Sequence, residues 1–267
     1  MDLYKELETA KKAALEAGAA ILGIYKESFE IKYKEDDSPL TIADEEANNI
    51  IMNILKSAFP QYAILSEEAK DDPARRESDW CWIVDPLDGT KEFIKGNGEF
   101  TVNIALTYRQ KPVLGVIYIP VKEEFYYAIK NQGAYFEKNN NSQRIYVSDR
   151  VENIRAACSR SHSSEKLVKL LTESGVKEFI YAGSALKGCM IAKGEAEIYY
   201  RYGLTCEWDT AAIHCIVEEA GGIFRQMDDS EMLYNREDTV NRKGFYILNR
   251  IENKIQLIDN RELKTDK

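Results

Sequence analysis

Trp80-Cys81-Trp82-Ile83-Val84-Asp85-Pro86-Leu87-Asp88-Gly89-Thr90-Lys91-Glu92-Phe93 is the stretch whose reading decides the fold. Residues 80–84 are an aromatic and β-branched apolar run of strand length, closed by a cluster of turn residues. Pro86 has no amide hydrogen and Gly89 accepts backbone angles closed to other residues. The strand is therefore expected to end at Val84 and the chain to turn sharply. Such a turn holds the carboxylates of Asp85 and Asp88 near one point, beside an exposed carbonyl such as that of Leu87. Hard oxygen donors of this kind suit Mg²⁺ better than Zn²⁺. Residues 90–93 can open a short helix whose first amides face a bound anion. Metal ligands beside an anion-binding helix start point to chemistry on phosphate. A plain strand, polar turn and helix cap is the alternative, because Asp-Gly pairs are common in turns.

Upstream, residues 62–65 are a short strand running into Ser66-Glu67-Glu68. If the two strands lie side by side, Glu67 reaches the same cluster. Residues 70–79 between them are polar and read as a mobile surface loop. Residues 41–59 form an amphipathic helix with Asp44, Glu45 and Glu46 in its first turn. Acids at a helix start are favoured by the dipole alone, so these have a capping reading beside a functional one. Residues 3–25 place Leu3, Leu7, Ala10, Ala14, Ala17, Ile21 and Ile24 on one helical face. A short strand is expected at 31–34, broken by the polar run that follows.

Downstream, runs at 100–108 and 112–119 read as an antiparallel hairpin, and 124–129 with 134–136 as another. Residues 139–142 read as a loop and 144–147 as a further strand. Beyond 155 strand and helix alternate: strands at 155–159, 179–182 and 197–202, helices at 165–174 and 185–193. That is the pattern of an α/β layer. The boundary falls near 148–152, giving subdomains 1–150 and 151–267 with a cleft between them. Cys206-Glu207-Trp208-Asp209 then introduces a helix through 220, stopped by Gly221-Gly222. Asp209, placed at its opening turn, is either a cap or a fourth acid aimed at the metal. Strands at 223–226 and 245–249 and a short helix close the chain.

The chain has 267 residues, enough for a sizeable core. Its formal charge of −9 argues against binding of nucleic-acid polymers. No apolar run approaches the ~20 residues of a transmembrane helix, and the charged first residues lack a signal-peptide core. The five cysteines are scattered, odd in number and not spaced for zinc, which fits a reducing cytoplasm.

Three separated motifs, Ser66-Glu67-Glu68, Asp85-Pro86-Leu87-Asp88-Gly89-Thr90 and Glu207-Trp208-Asp209, resemble in order and spacing the signatures of the inositol monophosphatase superfamily. The resemblance spans nearly the whole chain. It implies a layered α-β-α-β-α sandwich of the α/β (α+β) class with the site between two subdomains. Within the superfamily, Asp88 to Phe93, Asn97 to Asn103, Ser159 to His162 and Glu207 to Ala212 look most like the bacterial 3′(2′),5′-bisphosphate nucleotidases. Such enzymes are Mg²⁺-dependent, lithium-sensitive and tied to sulfur metabolism. The implied reaction is removal of the 3′-phosphate from adenosine 3′,5′-bisphosphate, with 3′-phosphoadenylyl sulfate as a further substrate. An inositol mono- or bisphosphate phosphatase is the first alternative, and a catalytically silent nucleotide-binding protein the second. Leu204, Cys206 and Ile213 stand where proline, serine and glycine are common in the family.

Carried over by motif, Glu67, Asp85, Asp88, Asp209 and the Leu87 carbonyl are the metal ligands for two or three Mg²⁺ ions. Thr90 and Glu67 orient the attacking water, and Asp44 joins that proton network or holds a third ion. Gly89 and Thr90 bind the scissile phosphate, with Asp88 and Asp209 also facing substrate. Ser184, Lys187 and Arg201 are expected to hold the second phosphate and the ribose, and His162 the base; a surface ion pair or a solvated side chain is the plain reading of each. Ser184 and Lys187 lie one helical turn apart, and Arg201 is a lone charge in an aromatic strand. His214 is expected to be structural, turned away from Asp209. The expected assembly is a monomer or homodimer in the cytoplasm, with peripheral attachment to the inner membrane as an alternative location.

Overall fold

A computed structural model describes residues 2–25, 31–33, 39–161 and 164–255. The first amphipathic periodicity forms α1 (Tyr4–Tyr25), followed by a small antiparallel pair, β1 (Ile31–Tyr33) and β2 (Pro39–Thr41), and by α2 (Ile42–Ala58). Next come β3 (Ala63–Ser66), β4 (Trp80–Asp88), the short α3 (Thr90–Ile94), β5 (Thr101–Tyr108) and β6 (Lys111–Ile119). The meander continues through β7 (Glu124–Ile129), β8 (Gly133–Lys138) and β9 (Asn141–Ile145). β3 to β9 form a seven-stranded sheet in sequence order, parallel only between β3 and β4.

The second half contributes β10 (Arg155–Ser159), α4 (Glu165–Glu173), β11 (Glu178–Ala182), α5 (Leu186–Ala192), β12 (Ile198–Arg201), α6 (Ala211–Glu219), β13 (Ile223–Gln226) and β14 (Phe245–Leu248). Its five strands are ordered β11-β10-β12-β14-β13, parallel around β10 and antiparallel at β14.

Side-chain alternation along the strands builds five layers. In β4, Trp82 and Val84 pack under α1 and α2, whereas Cys81 and Ile83 face α5 and α6. In β14, Phe245 and Ile247 meet that same middle helical layer, and Tyr246 and Leu248 pack with α4 residues such as Leu171. The order is helices, large sheet, helices, small sheet, helix: the expected α-β-α-β-α sandwich. β4 is buried on both faces, which is why its sequence is continuously apolar. α6 lies close on β6, where a Cβ on Gly115 would stand 2.3 Å from the Ala212 carbonyl oxygen.

Four expectations need correction. β4 does not end at Val84 but continues to Asp88, pairing Asp85 with Asn103 and Asp88 with Thr101. The loop expected at 139–142 is only the two-residue turn Asn139-Asn140, both at positive φ, so the next strand is Asn141–Ile145 and not 144–147. Residues 70–79 are not a loose loop. They contain a 3-10 turn, Pro73–Glu77, whose Arg75 side chain is buried. It donates to Asp71 at 2.6 Å, to Asn235 Oδ1 at 2.7 Å and to the Arg236 carbonyl at 2.8 Å. Finally, Asp209 precedes α6 by two residues and is not in its first turn. Lys34 and the chain beyond 255 lie outside the described residues. No helix among the described residues is long and apolar enough to cross a membrane. All five cysteines are free thiols, four of them buried.

Candidate active site

The site begins with a defect in β4. Four residues of β4, 85–88, face three of β5, 101–103, so one residue is extra. In a regular strand, residues three apart point to opposite faces. The extra residue restores parity, and Asp85 and Asp88 both face the middle layer. Leu87 instead buries its side chain in the core under α1 and α2. Pro86, which cannot donate to a ladder, sits at the one place where the ladder is broken.

Parallel pairing of Ser66 with Val84 brings Glu67 alongside, its amide donating to the Val84 carbonyl at 3.2 Å. Asp209 arrives from the loop before α6, its Oδ2 accepting the Cys206 amide at 2.5 Å. Carboxylate oxygens of Asp85, Asp88 and Asp209 then lie within 4.8 Å of one another. Asp85 is 1% exposed. Its Oδ1 accepts the Leu87 amide at 3.2 Å, and its buried Oδ2 accepts no hydrogen bond. Burial first, then Glu67, Asp88, Asp209 and Asp44, holds the Asp85 carboxyl far above the ordinary range. Burial and Asp88 push Asp209 up to about 8. Such a cluster of buried acids with an orphaned oxygen is unstable as anions alone and fits hard divalent cations.

Gly89 follows at φ +97, with the space its Cβ would fill closed to 3.2 Å by the Glu99 carbonyl. It delivers Thr90 to the start of α3, where Thr90 Oγ1 donates to the Leu87 carbonyl at 3.4 Å. Across the cleft, Ser184 Oγ donates to Asp88 Oδ2 at 2.8 Å and lies 2.6 Å from Thr101 Oγ1. The Ser184 hydroxyl is thus engaged with a carboxylate. Lys187 is buried, with Nζ 2.5 Å from the Ser184 carbonyl and over the Tyr199 ring. Burial lowers Lys187 to about 8, against the pull of Asp88. Arg201 reaches the cleft wall from the end of β12, and its buried Nε has no hydrogen-bond partner.

Glu67, Asp88, Gly89, Thr90, Ser184, Lys187, Arg201 and Asp209 therefore line one cleft of 250 Å³, with Asp85 buried beneath it. Asp44 is buried in the first turn of α2, within electrostatic reach of Asp85. His162 lies outside the described residues. Leu204 and Ile213 give the cleft an apolar edge. His214 is buried against Phe224 and within 2.9 Å of the Tyr234 hydroxyl, a core position as expected.

The Inositol monophosphatase family pattern matches residues 2–258. This chain belongs to that family. Among curated members, the 3′(2′),5′-bisphosphate nucleotidase CysQ of Salmonella typhimurium is 41% identical over 246 residues, covering 90% of this chain and 98% of that protein. The CysQ of Buchnera aphidicola is 40% identical, covering 91% and 93%. Among solved inositol monophosphatase-family structures, CysQ from Bacteroides thetaiotaomicron superposes with a TM-score of 0.80 at 40% identity, covering 93% of this chain and all of that one.

Several supporting residues had only weak sequence signals. Thr101 and Asn103, both buried, point with Asp85 and Asp88 into the site, and Asn103 donates to Asp88 at 3.2 Å. Polar residues two apart in an otherwise apolar strand are the signal that marks them. Glu207 is fully buried and accepts the amides of Asn235 at 2.5 Å and Arg236 at 2.9 Å, fixing the loop behind Asp209.

Proposed function

We propose that this chain is a Mg²⁺-dependent phosphatase that removes the 3′-phosphate of adenosine 3′,5′-bisphosphate, giving AMP and inorganic phosphate, and that also accepts 3′-phosphoadenylyl sulfate. The observation behind it is one cleft lined by the clustered carboxylates together with Lys187 and Arg201. A phosphate beside the carboxylates leaves the second anionic group of a bisphosphate to the two cations. A monoester of a neutral polyol has no use for them. The names of the CysQ relatives agree with this reading.

In this reading Glu67, Asp85, Asp88, Asp209 and the Leu87 carbonyl hold two or three Mg²⁺ ions. Bound divalent ions supply an acidified water and neutralise charge on the phosphoryl and leaving oxygens. Thr90 and Glu67 would orient a water in line with phosphorus and the 3′-oxygen. Asp44 belongs to the same proton network or holds a third ion. The Gly89 and Thr90 amides hold the scissile phosphate, with Asp88 and Asp209 facing it. Lys187 and Arg201 take the second phosphate, Ser184 orders Asp88 beside the ribose, and His162 meets the base. Residues 1–150 and 151–267 act as the two lobes, in a monomer or homodimer.

The test is phosphate release with Mg²⁺ from adenosine 3′,5′-bisphosphate and inositol 1-phosphate in parallel. Preference for the nucleotide is expected, lost in Asp85→Asn and reduced in Arg201→Ala. Preference for inositol 1-phosphate would keep the metal chemistry and remove the roles given to Lys187 and Arg201. Release from neither would leave a silent nucleotide-binding protein.

A further inference from the structure

We infer that Glu99, outside the carboxylate cluster, is a positioning residue for the metal site, acting through Gly183 and Ser184 on Asp88. The inference rests on the metal reading of the cluster. Glu99 lies between α3 and β5, on the same side of the cleft as Asp85 and Asp88. Its carboxylate is shared by two segments of the opposite lobe. Oε2 accepts Arg160 Nε at 2.7 Å and the Gly183 amide at 2.8 Å, while Oε1 accepts Arg160 Nη2 at 2.7 Å. Arg160 also donates to the Tyr181 carbonyl at 2.6 Å. The chain from Tyr181 to Gly183 is therefore clamped at both ends of one bidentate pair.

The clamp sits one residue before a strained position. Ser184 has φ +49, a left-handed conformation that serine rarely adopts. In that conformation its hydroxyl donates to Asp88 Oδ2 at 2.8 Å. Without the Gly183 anchor, the turn loses a contact that holds Ser184 there. An exposed ion pair ordinarily does little. Here Arg160 is exposed, but the pair is forked and its carboxylate is also joined to the part-buried Gly183 amide, so it fixes direction as well as distance. Partners that orient a metal-binding side chain commonly govern metal affinity.

The test is calorimetric titration of Mg²⁺ into the full-length protein and into Glu99→Gln, Ser184→Ala and the double variant. Glu99→Gln is expected to weaken binding about tenfold, in the range known for outer partners of metal ligands. Ser184→Ala should weaken it at least as much, and the double variant no further than Ser184→Ala alone. Arg160→Lys, which keeps the charge but loses the fork, should shift affinity the same way and serves if Glu99→Gln does not fold. Unchanged Mg²⁺ affinity in Glu99→Gln and Arg160→Lys, with only a lower melting temperature, would overturn the inference in favour of a structural ion pair. Losses that add in the double variant would overturn it as well, because Glu99 would then act independently of Ser184. If the parent protein itself binds no Mg²⁺, the metal reading fails and takes this inference with it, an outcome visible before any variant is compared.

Discussion

Asp85 shows how little of a site is decided by residue type alone. Its carboxylate is buried among Asp88, Asp209, Glu67 and Asp44, with one oxygen that accepts nothing. Asp85→Asn removes one charge and keeps the shape. With Mg²⁺, activity should fall about a thousandfold or more, since several kcal/mol of charge stabilisation depend on a ligand of this kind. In chelator the same variant should melt higher than its parent, because it removes an acid penalised first by burial and then by its acidic neighbours. Thermal melts in EDTA and in Mg²⁺ should therefore rank the two proteins in opposite orders; the same order in both would refute the crowding argument. The acids of the three motifs are legible in the sequence because two of those motifs lie at strand ends and the third leads into a helix. Thr101 and Asn103 were harder to see, since two short polar residues in a strand resemble ordinary sheet surface until their partners are known.

Elements were legible where one periodicity ran undisturbed. α1, α2 and the hairpin of β5 and β6 followed from spacing. β4 was read too short, because Pro86 normally ends a central strand and here occupies a bulge. β9 was displaced because Asn139-Asn140-Asn141-Ser142 resembles a loop by composition, whereas two left-handed asparagines suffice for the turn. The 73–77 turn was misread because polar composition does not reveal a buried arginine. That turn makes its own prediction. Arg75 ties Asp71 to Asn235 and the Arg236 carbonyl, and Asn235 in turn donates its amide to Glu207. Arg75→Ala should cost about 1–3 kcal/mol, because it leaves the Asn235 Oδ1 and Arg236 carbonyl acceptors without their donor while Asp71, half exposed, turns to water. Denaturant unfolding measures it, and a loss below about 1 kcal/mol, the level of a surface pair, would contradict the buried network.

At the scale of the molecule, the five layers are implied by the resemblance that the three motifs carry, whereas the change from antiparallel to alternating pattern near residue 150 marks only two halves. Which helices make the middle layer is not legible in their own sequences, because α5 and α6 look like ordinary helical segments until both sheets close on them. α6 also sets an acid limit on stability. Burial works against the Glu218 carboxylate, but His214 and Arg225 outweigh it and hold it down at about 2. A depressed carboxyl stabilises the fold above its unfolded value of about 4.3 and loses that contribution as pH falls toward 2. Melting temperature should therefore drop between about pH 4.5 and 2, less steeply in Glu218→Gln. An identical slope in the variant would assign the acid limit elsewhere.

The strand defect at 85–88 and the loop before α6 have a consequence for the chain as a polymer. Glu67 and Asp209 are 142 positions apart, 209 minus 67, yet face one point. A cation held between them is a removable cross-link that closes most of the chain into a ring. Unlike a covalent bridge over a long loop, which restricts the unfolded chain, it would be released on unfolding and would stabilise by binding the folded state alone. Under the proposed reading, Mg²⁺ would then set how long the protein survives as well as how fast it turns over.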